Sequence, residues 1–242
     1  FFSSLASAAT QDEDKALLPI QQAFQDKFFE VVKTQSLQFL EQYPDSGYKN
    51  GVRLLLGQAY LNLEDFAQAA ETFEQVADDP ASTKEKEEAV YWMAETYFKA
   101  KDFPSAIKYY SEIIEKYPSS RFFVFSKYSR AWATYEIADY EKAISEFEEV
   151  ANDFKDHPLS VESKYKIGQC LYELKHYNSA SDALAKFTEE NSLSPKVAHA
   201  YYLLGDSYYN LGEYAAALET FKKSIDLGGK DGFRAYALHG LA

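Results

Sequence analysis

Chemistry at a protein surface starts from nucleophiles, imidazoles and carboxylates, and this chain has one cysteine, Cys170, and four histidines, His157, His176, His199 and His239. A helical metal site pairs imidazoles at i and i+4 with acidic neighbours. None of the four is so spaced, and each reads as a solvated surface side chain. Cys170 has no second cysteine to bond and shares its repeat position with Ala59, Thr96, Ala133 and Ser207, which reads as packing and not as a nucleophile. Carboxylates abound, but a run such as Glu146, Glu148 and Glu149 along one helix ordinarily forms a solvated face. Gly228-Gly229 followed by Asp231-Gly232 lacks the lysine and hydroxyl of a phosphate-cradling loop and reads as a turn. These residues predict no catalytic set, no cofactor and no metal. An enzyme is not expected, although an activity elsewhere in a longer polypeptide stays open.

Bulk composition points the same way. The 242 residues carry 20 Tyr and 18 Phe against ten Gly and seven Pro, which suits helices packed through large side chains. A net charge of −13 repels nucleic-acid backbones and anionic membrane surfaces, so neither is an expected partner. No run approaches the roughly 18 apolar residues that would span a bilayer, and the chain reads as soluble. Residues 1–9, apolar and small with Ala6-Ser7-Ala8 as a small-x-small pattern before Asp12-Glu13-Asp14, read as the remnant of a secretory signal.

The elements that position every side chain are set by one period. Small residues fall at Gly57, Ala94, Ala131, Gly168 and Gly205, each 37 after the last, and a second small column follows at Ala69, Ala106, Ala143, Ala180 and Ala217. Four residues further stand Phe73, Tyr110, Phe147, Leu184 and Phe221, and three before the second alanine stand Phe66, Phe103, Tyr140, Tyr177 and Tyr214. Two helices approach closely where a small side chain meets a large one, so each unit is predicted to be a helical hairpin repeated along a stack. Short polar turns separate the helices, with an acid before the aromatic in most units. The fold expected is all-α, a right-handed superhelical solenoid of antiparallel helix pairs.

Five units follow, at 50–86, 87–123, 124–160, 161–197 and 198–234. Residues 10–49 form a degenerate N-terminal cap, in which Ile20 takes the small position and Pro19 is expected to interrupt the helix. Residues 235–242 begin a sixth unit, leaving Tyr236, Leu238 and Leu241 without a covering helix, so the natural chain is expected to continue.

Leu204-Gly205, Tyr208, Ala217 and Phe221, and likewise Leu56-Gly57, Tyr60, Ala69 and Phe73, resemble the tetratricopeptide repeat (TPR). Arg130 and Thr134 depart from it where an apolar pair is expected. The 37-residue spacing with Tyr-Pro-Asp-Ser and Tyr-Pro-Ser-Ser ends is similar to the subset in bacterial envelope proteins of the outer-membrane assembly lipoprotein and Tol-Pal accessory types. The resemblance implies a periplasmic or envelope location, with the cytoplasm as alternative, and a groove lined by first helices that receives other proteins. The positions it carries over are Tyr91, Phe98, Tyr128, Trp132, Tyr135, Tyr165, Tyr172, Tyr202 and Tyr209, with Leu54 and Leu61 at the head of the same columns. At the places where some relatives grip a C-terminal carboxylate stand Gln58, Glu95, Trp132, Gln169 and Asp206, so that clamp is not expected. Three functions remain open: a non-catalytic scaffold within an envelope assembly, a receptor for short peptides or small ligands on the tyrosines, or the regulatory arm of a larger enzyme.

Overall fold

A computed structural model describes residues 2–82 and 85–227. Among these residues it has twelve helices and no strand: α1 (Phe2–Gln25), α2 (Phe29–Gln42), α3 (Lys49–Asn62), α4 (Phe66–Asp78), α5 (Lys86–Lys99), α6 (Phe103–Lys116), α7 (Phe123–Glu136), α8 (Tyr140–Asp153), α9 (Pro158–Glu173), α10 (Tyr177–Glu190), α11 (Val197–Asn210) and α12 (Tyr214–Leu227). They form antiparallel hairpins of the TPR type, an all-α fold. The Gly228-Gly229 turn and Tyr236, Leu238, Leu241 and His239 lie outside the described residues. None of the described helices is long and apolar enough to cross a membrane. The chain divides into two compact units, Phe1–Ser126 and Lys127–Ala242.

The pairing of small with large side chains sets the closeness of each hairpin. In the first unit a Cβ on Gly57 would lie 2.5 Å from Phe73 Cε1. In the second, Gly168 would meet Leu184 Cδ2 at 2.6 Å and Gly205 would meet Phe221 Cδ1 at 2.8 Å. Phe73, Leu184 and Phe221 are buried, so these contacts are the core of their hairpins. The α1/α2 hairpin inverts the arrangement: the equivalent positions hold Ile20 and Ser36, large where the others are small and small where they are large, and both are fully buried. Ile20 packs there with Ala23, Val32, Phe39 and Val52.

α1 runs through Pro19 without a break, contrary to the sequence expectation. Pro19 removes one backbone donor, yet it and Lys15, whose carbonyl loses that donor, both lie on the exposed side where water satisfies the acceptor. Ile20 and Ala23 hold the next turn into the core.

Each hairpin turns on a residue in the left-handed region, again every 37 positions: Lys27, Glu64, Lys101, Ala138, Lys175 and Gly212, with φ between 59° and 79°. The next backbone N–H donates to the carbonyl five residues earlier, as from Asp65 to Tyr60, Asp102 to Tyr97 and His176 to Leu171. That bond satisfies a carbonyl orphaned at the helix end. Asp65 and Asp102 then cap the following helix, their carboxylates accepting from the backbone N–H of Gln68 and Ser105. α1/α2 makes the same turn, with Phe28 N–H donating to Ala23 at 2.8 Å, so it is a sixth hairpin of the same design.

Candidate functional site

In the second unit, α7, α9 and α11 are joined side by side by bonds between residues 34 apart. Gln169 Nε2 donates to Tyr135 Oη at 3.0 Å, Tyr172 Oη donates to Asp206 Oδ2 at 2.5 Å, and Tyr165 Oη bonds His199 Nδ1. The spacing is one repeat less one helical turn, so each bond links a residue to its neighbour's preceding turn. Tyr135 Oη in turn donates a hydrogen bond to Glu173 Oε1 at 3.3 Å, and Asn210 Nδ2 donates to Asp206 Oδ2 at 3.2 Å. The tyrosine hydroxyls are thus used for lateral cross-linking while ring surface stays available. Burial and the adjoining carboxylates push the Tyr135 and Tyr172 hydroxyls well above the ordinary phenol range, so both remain protonated donors.

The sequence-derived positions divide on inspection. Trp132, Tyr135, Tyr172 and Tyr202 are half-buried and Tyr209 is 53% exposed, all within the second unit. Tyr128 and Tyr165, expected on the groove, are instead core residues at 8% and 4% exposure. Their rings pack against Phe147 and Phe187 of the second helix of their own hairpins, at centroid separations of 5.5 and 5.7 Å. Leu54 and Leu61 are buried in the first unit, in the cluster that also holds Phe73 and Val76. There Tyr91 stacks on Phe122 at 4.3 Å and Phe98 meets Phe103 edge-on at 5.5 Å, with Tyr91 and Phe98 half-buried.

Three polar residues have roles the sequence reading did not assign. His199, read as a surface histidine, is enclosed by Tyr165 and by the ring of Tyr202, which stacks on it at 6.0 Å. Burial first, then the nearby Lys196 and Lys166, pull its pKa down to about 4, so the imidazole is neutral. Glu146, read as part of a solvated face, is buried at 7% exposure; it accepts from Thr134 Oγ1 at 2.8 Å and pairs with Arg130 Nε at 3.0 Å. The two departures from the repeat pattern therefore complement each other. Lys166 is 9% exposed, with its ammonium 4.5 Å from the centroid of Trp132 and 4.8 Å from that of Tyr135. A signal for it was present: its column otherwise holds the apolar Leu18, Leu55, Trp92 and Leu203 and the small, uncharged Ser129. Cys170 is fully buried, and burial pushes its thiol up to about 12, as a packing residue requires.

Comparison with known proteins agrees with this architecture. Residues 54–121 match the tetratricopeptide repeat family model, and residues 124–225 match that of an outer membrane lipoprotein family. Among solved structures, a segment of MamA from Desulfovibrio magneticus aligns with a TM-score of 0.64 at 17% identity, over 77% of this chain and 98% of that one. Apo RapI aligns with a TM-score of 0.67 at 19% identity, over 79% of this chain and 74% of that one. At such identities the likeness is one of fold. No curated protein matches the chain.

Proposed function

We propose that this chain, a tetratricopeptide-repeat protein and hence a scaffold for protein–protein interaction, works without catalysis in a bacterial cell-envelope assembly, located in the periplasm or envelope. The observation that carries the envelope reading is the match of residues 124–225 to an outer membrane lipoprotein family, which spans nearly all of the second unit's described helices. That unit also bears the more elaborate face. Trp132, Tyr135, Tyr172, Tyr202 and Tyr209 offer broad apolar rings, and the bonds to Gln169, Glu173 and Asp206 fix two of them, Tyr135 and Tyr172, in place. Aromatic groups held in place lose little entropy when a partner arrives, which is why tyrosine and tryptophan concentrate at interfaces. Tyr91 and Phe98 are the corresponding positions of the first unit.

The reading is tested by cross-linking the full-length tagged protein in its native host, then purifying it from separated envelope and cytoplasmic fractions. Stoichiometric recovery of defined outer-membrane components is expected, falling sharply in a Trp132→Ala, Tyr172→Ala double variant of unchanged helicity. A cytoplasmic protein with no stoichiometric partner would overturn it.

A further inference from the structure

Lys166 carries a charge to which the described residues offer ring faces but no hydrogen-bond acceptor, leaving its ammonium to solvent. Its side chain is nine-tenths buried, and the faces of Trp132 and Tyr135 attract its charge. A ring face cannot replace the hydrogen-bond acceptors that an ammonium with three donors requires. Among the described residues no carboxylate comes within ion-pair distance of it and no oxygen accepts from it. Glu136 and Glu162 are near enough for their charge to be felt, but Glu136 is engaged by Trp132 Nε1 at 2.9 Å. Lys196 adds positive charge to the same surroundings. Gln169, one turn along α9, donates its amide N–H to Tyr135, and its buried Oε1 accepts from no group among the described residues, Lys166 included. No other member of the column carries a charge, the rest being Leu, Trp or Ser, so a plain packing role would not call for a lysine.

We infer that Lys166 is the specificity anchor of this face, and that it takes an internal Asp or Glu side chain from an extended or helical segment of a partner protein. The inference rests on the reading of this face as protein-binding. A single ammonium between two ring faces fits one carboxylate flanked by apolar groups, which would lie on Trp132 and Tyr135. The net charge of −13 further selects a segment that is otherwise apolar or basic. An internal side chain suits the site better than a chain terminus, because the places of a terminal clamp hold Gln58, Glu95, Trp132, Gln169 and Asp206, none of them a cation.

The test is a selection of random peptides, displayed either within a carrier loop or with a free C-terminus, on the immobilised full chain. Binders from the loop library are expected to share one acidic position among apolar or basic residues. Replacing that acid by its amide, or Lys166→Met in the protein, should each weaken binding about thirtyfold or more, as loss of one member of a desolvated charge pair does. The two changes together should cost no more than either alone. Selection on Lys166→Glu should replace the acidic position by Lys or Arg. Because the amide substitution is made in the peptide, it tests the pair even if a Lys166 variant folds poorly. Binders indifferent to both changes would overturn the proposal, as would enrichment confined to free C-termini. No binders from either library would instead overturn the reading of the face as protein-binding, and this proposal with it.

Discussion

Gly57 in α3 and Phe73 in α4 occupy one space: the phenyl ring stands where a side chain on Gly57 would begin, 2.5 Å from the position of its Cβ. A methyl group there must push the helices apart or force the ring off its rotamer, at about 1–3 kcal/mol, against roughly 1 kcal/mol regained in helix propensity. Gly57→Ala is therefore expected to lower stability by up to about 2 kcal/mol in urea unfolding. Phe73→Ala alone leaves a cavity and costs about 3–5 kcal/mol. In the double variant the methyl enters that cavity, so the combined loss should fall short of the sum by about 1 kcal/mol or more. Strict additivity would show that the two residues do not share the space.

The turn residues make a prediction of opposite sign. Ala138 sits at φ 61°, where a Cβ crowds the following carbonyl, and Gly212 occupies the same repeat position at φ 79°. Ala138→Gly is expected to stabilise the protein by about 1 kcal/mol, less the entropy that glycine adds to the unfolded chain. Gly212→Ala should destabilise by a similar amount. Paired thermal melts of both variants check this, and a drop in melting temperature for Ala138→Gly would show that the turn is not strained.

Much of this architecture was legible in the sequence because it is periodic. Gly57 with Phe73, Gly168 with Leu184 and Gly205 with Phe221 obey one steric rule, and repetition turns that rule into a pattern that a single hairpin could not display. What escaped were residues that answer each other across the fold and not along the period. Ile20 looked like a failed small residue until Ser36 supplied the space for it. Arg130 and Thr134 looked like lapses until Glu146 was found beside them. Tyr128 and Tyr165 share a column with Tyr202, and although all three rings meet a phenylalanine of the second helix, only the first two are core, a difference the column does not carry. His199 aligns with Gly51, Glu88, Phe125 and Glu162, a column without any rule from which its burial could be read.

The Arg130, Thr134 and Glu146 cluster separates cost of breakage from net value. Arg130→Leu strands the Glu146 carboxylate, which is only 7% exposed, and removal of one partner from a buried pair typically costs about 3–5 kcal/mol. The corresponding residues of the first clear repeat are Leu56, Tyr60 and Thr72. The triple variant Arg130→Leu, Thr134→Tyr, Glu146→Thr restores that pattern and is expected to fall within about 1 kcal/mol of the parent, or above it, since apolar replacement of a whole buried pair is often neutral or stabilising. Chemical unfolding of the single and triple variants decides. A triple variant as weak as Arg130→Leu would mean that the polar cluster is required by its surroundings.

Acid should lower the stability of the protein in an upper and a lower stage, to which His199 and Asp79 respectively contribute. Burial against Tyr165 and Tyr202, with Lys196 and Lys166 nearby, takes the His199 pKa from 6.5 to about 4. The unfolded chain therefore binds this proton more readily than the folded one. Stability contributed by the neutral imidazole is complete above pH 6.5 and is lost as the pH falls through about 4. Asp79 acts lower. The Ala81 N–H, then Lys49 and Asn50, hold its carboxylate pKa at about 2 instead of 3.8, so its contribution is complete above 3.8 and lost as the pH falls through about 2. Urea unfolding at a series of pH values and constant ionic strength should show a flattened upper stage in His199→Gln and a flattened lower stage in Asp79→Asn. The two variants should not exchange these effects, because the residues lie in different units of the chain. An upper stage that persists unchanged in His199→Gln would mean that the imidazole is solvated after all and that the Tyr165 hydroxyl does not shelter it.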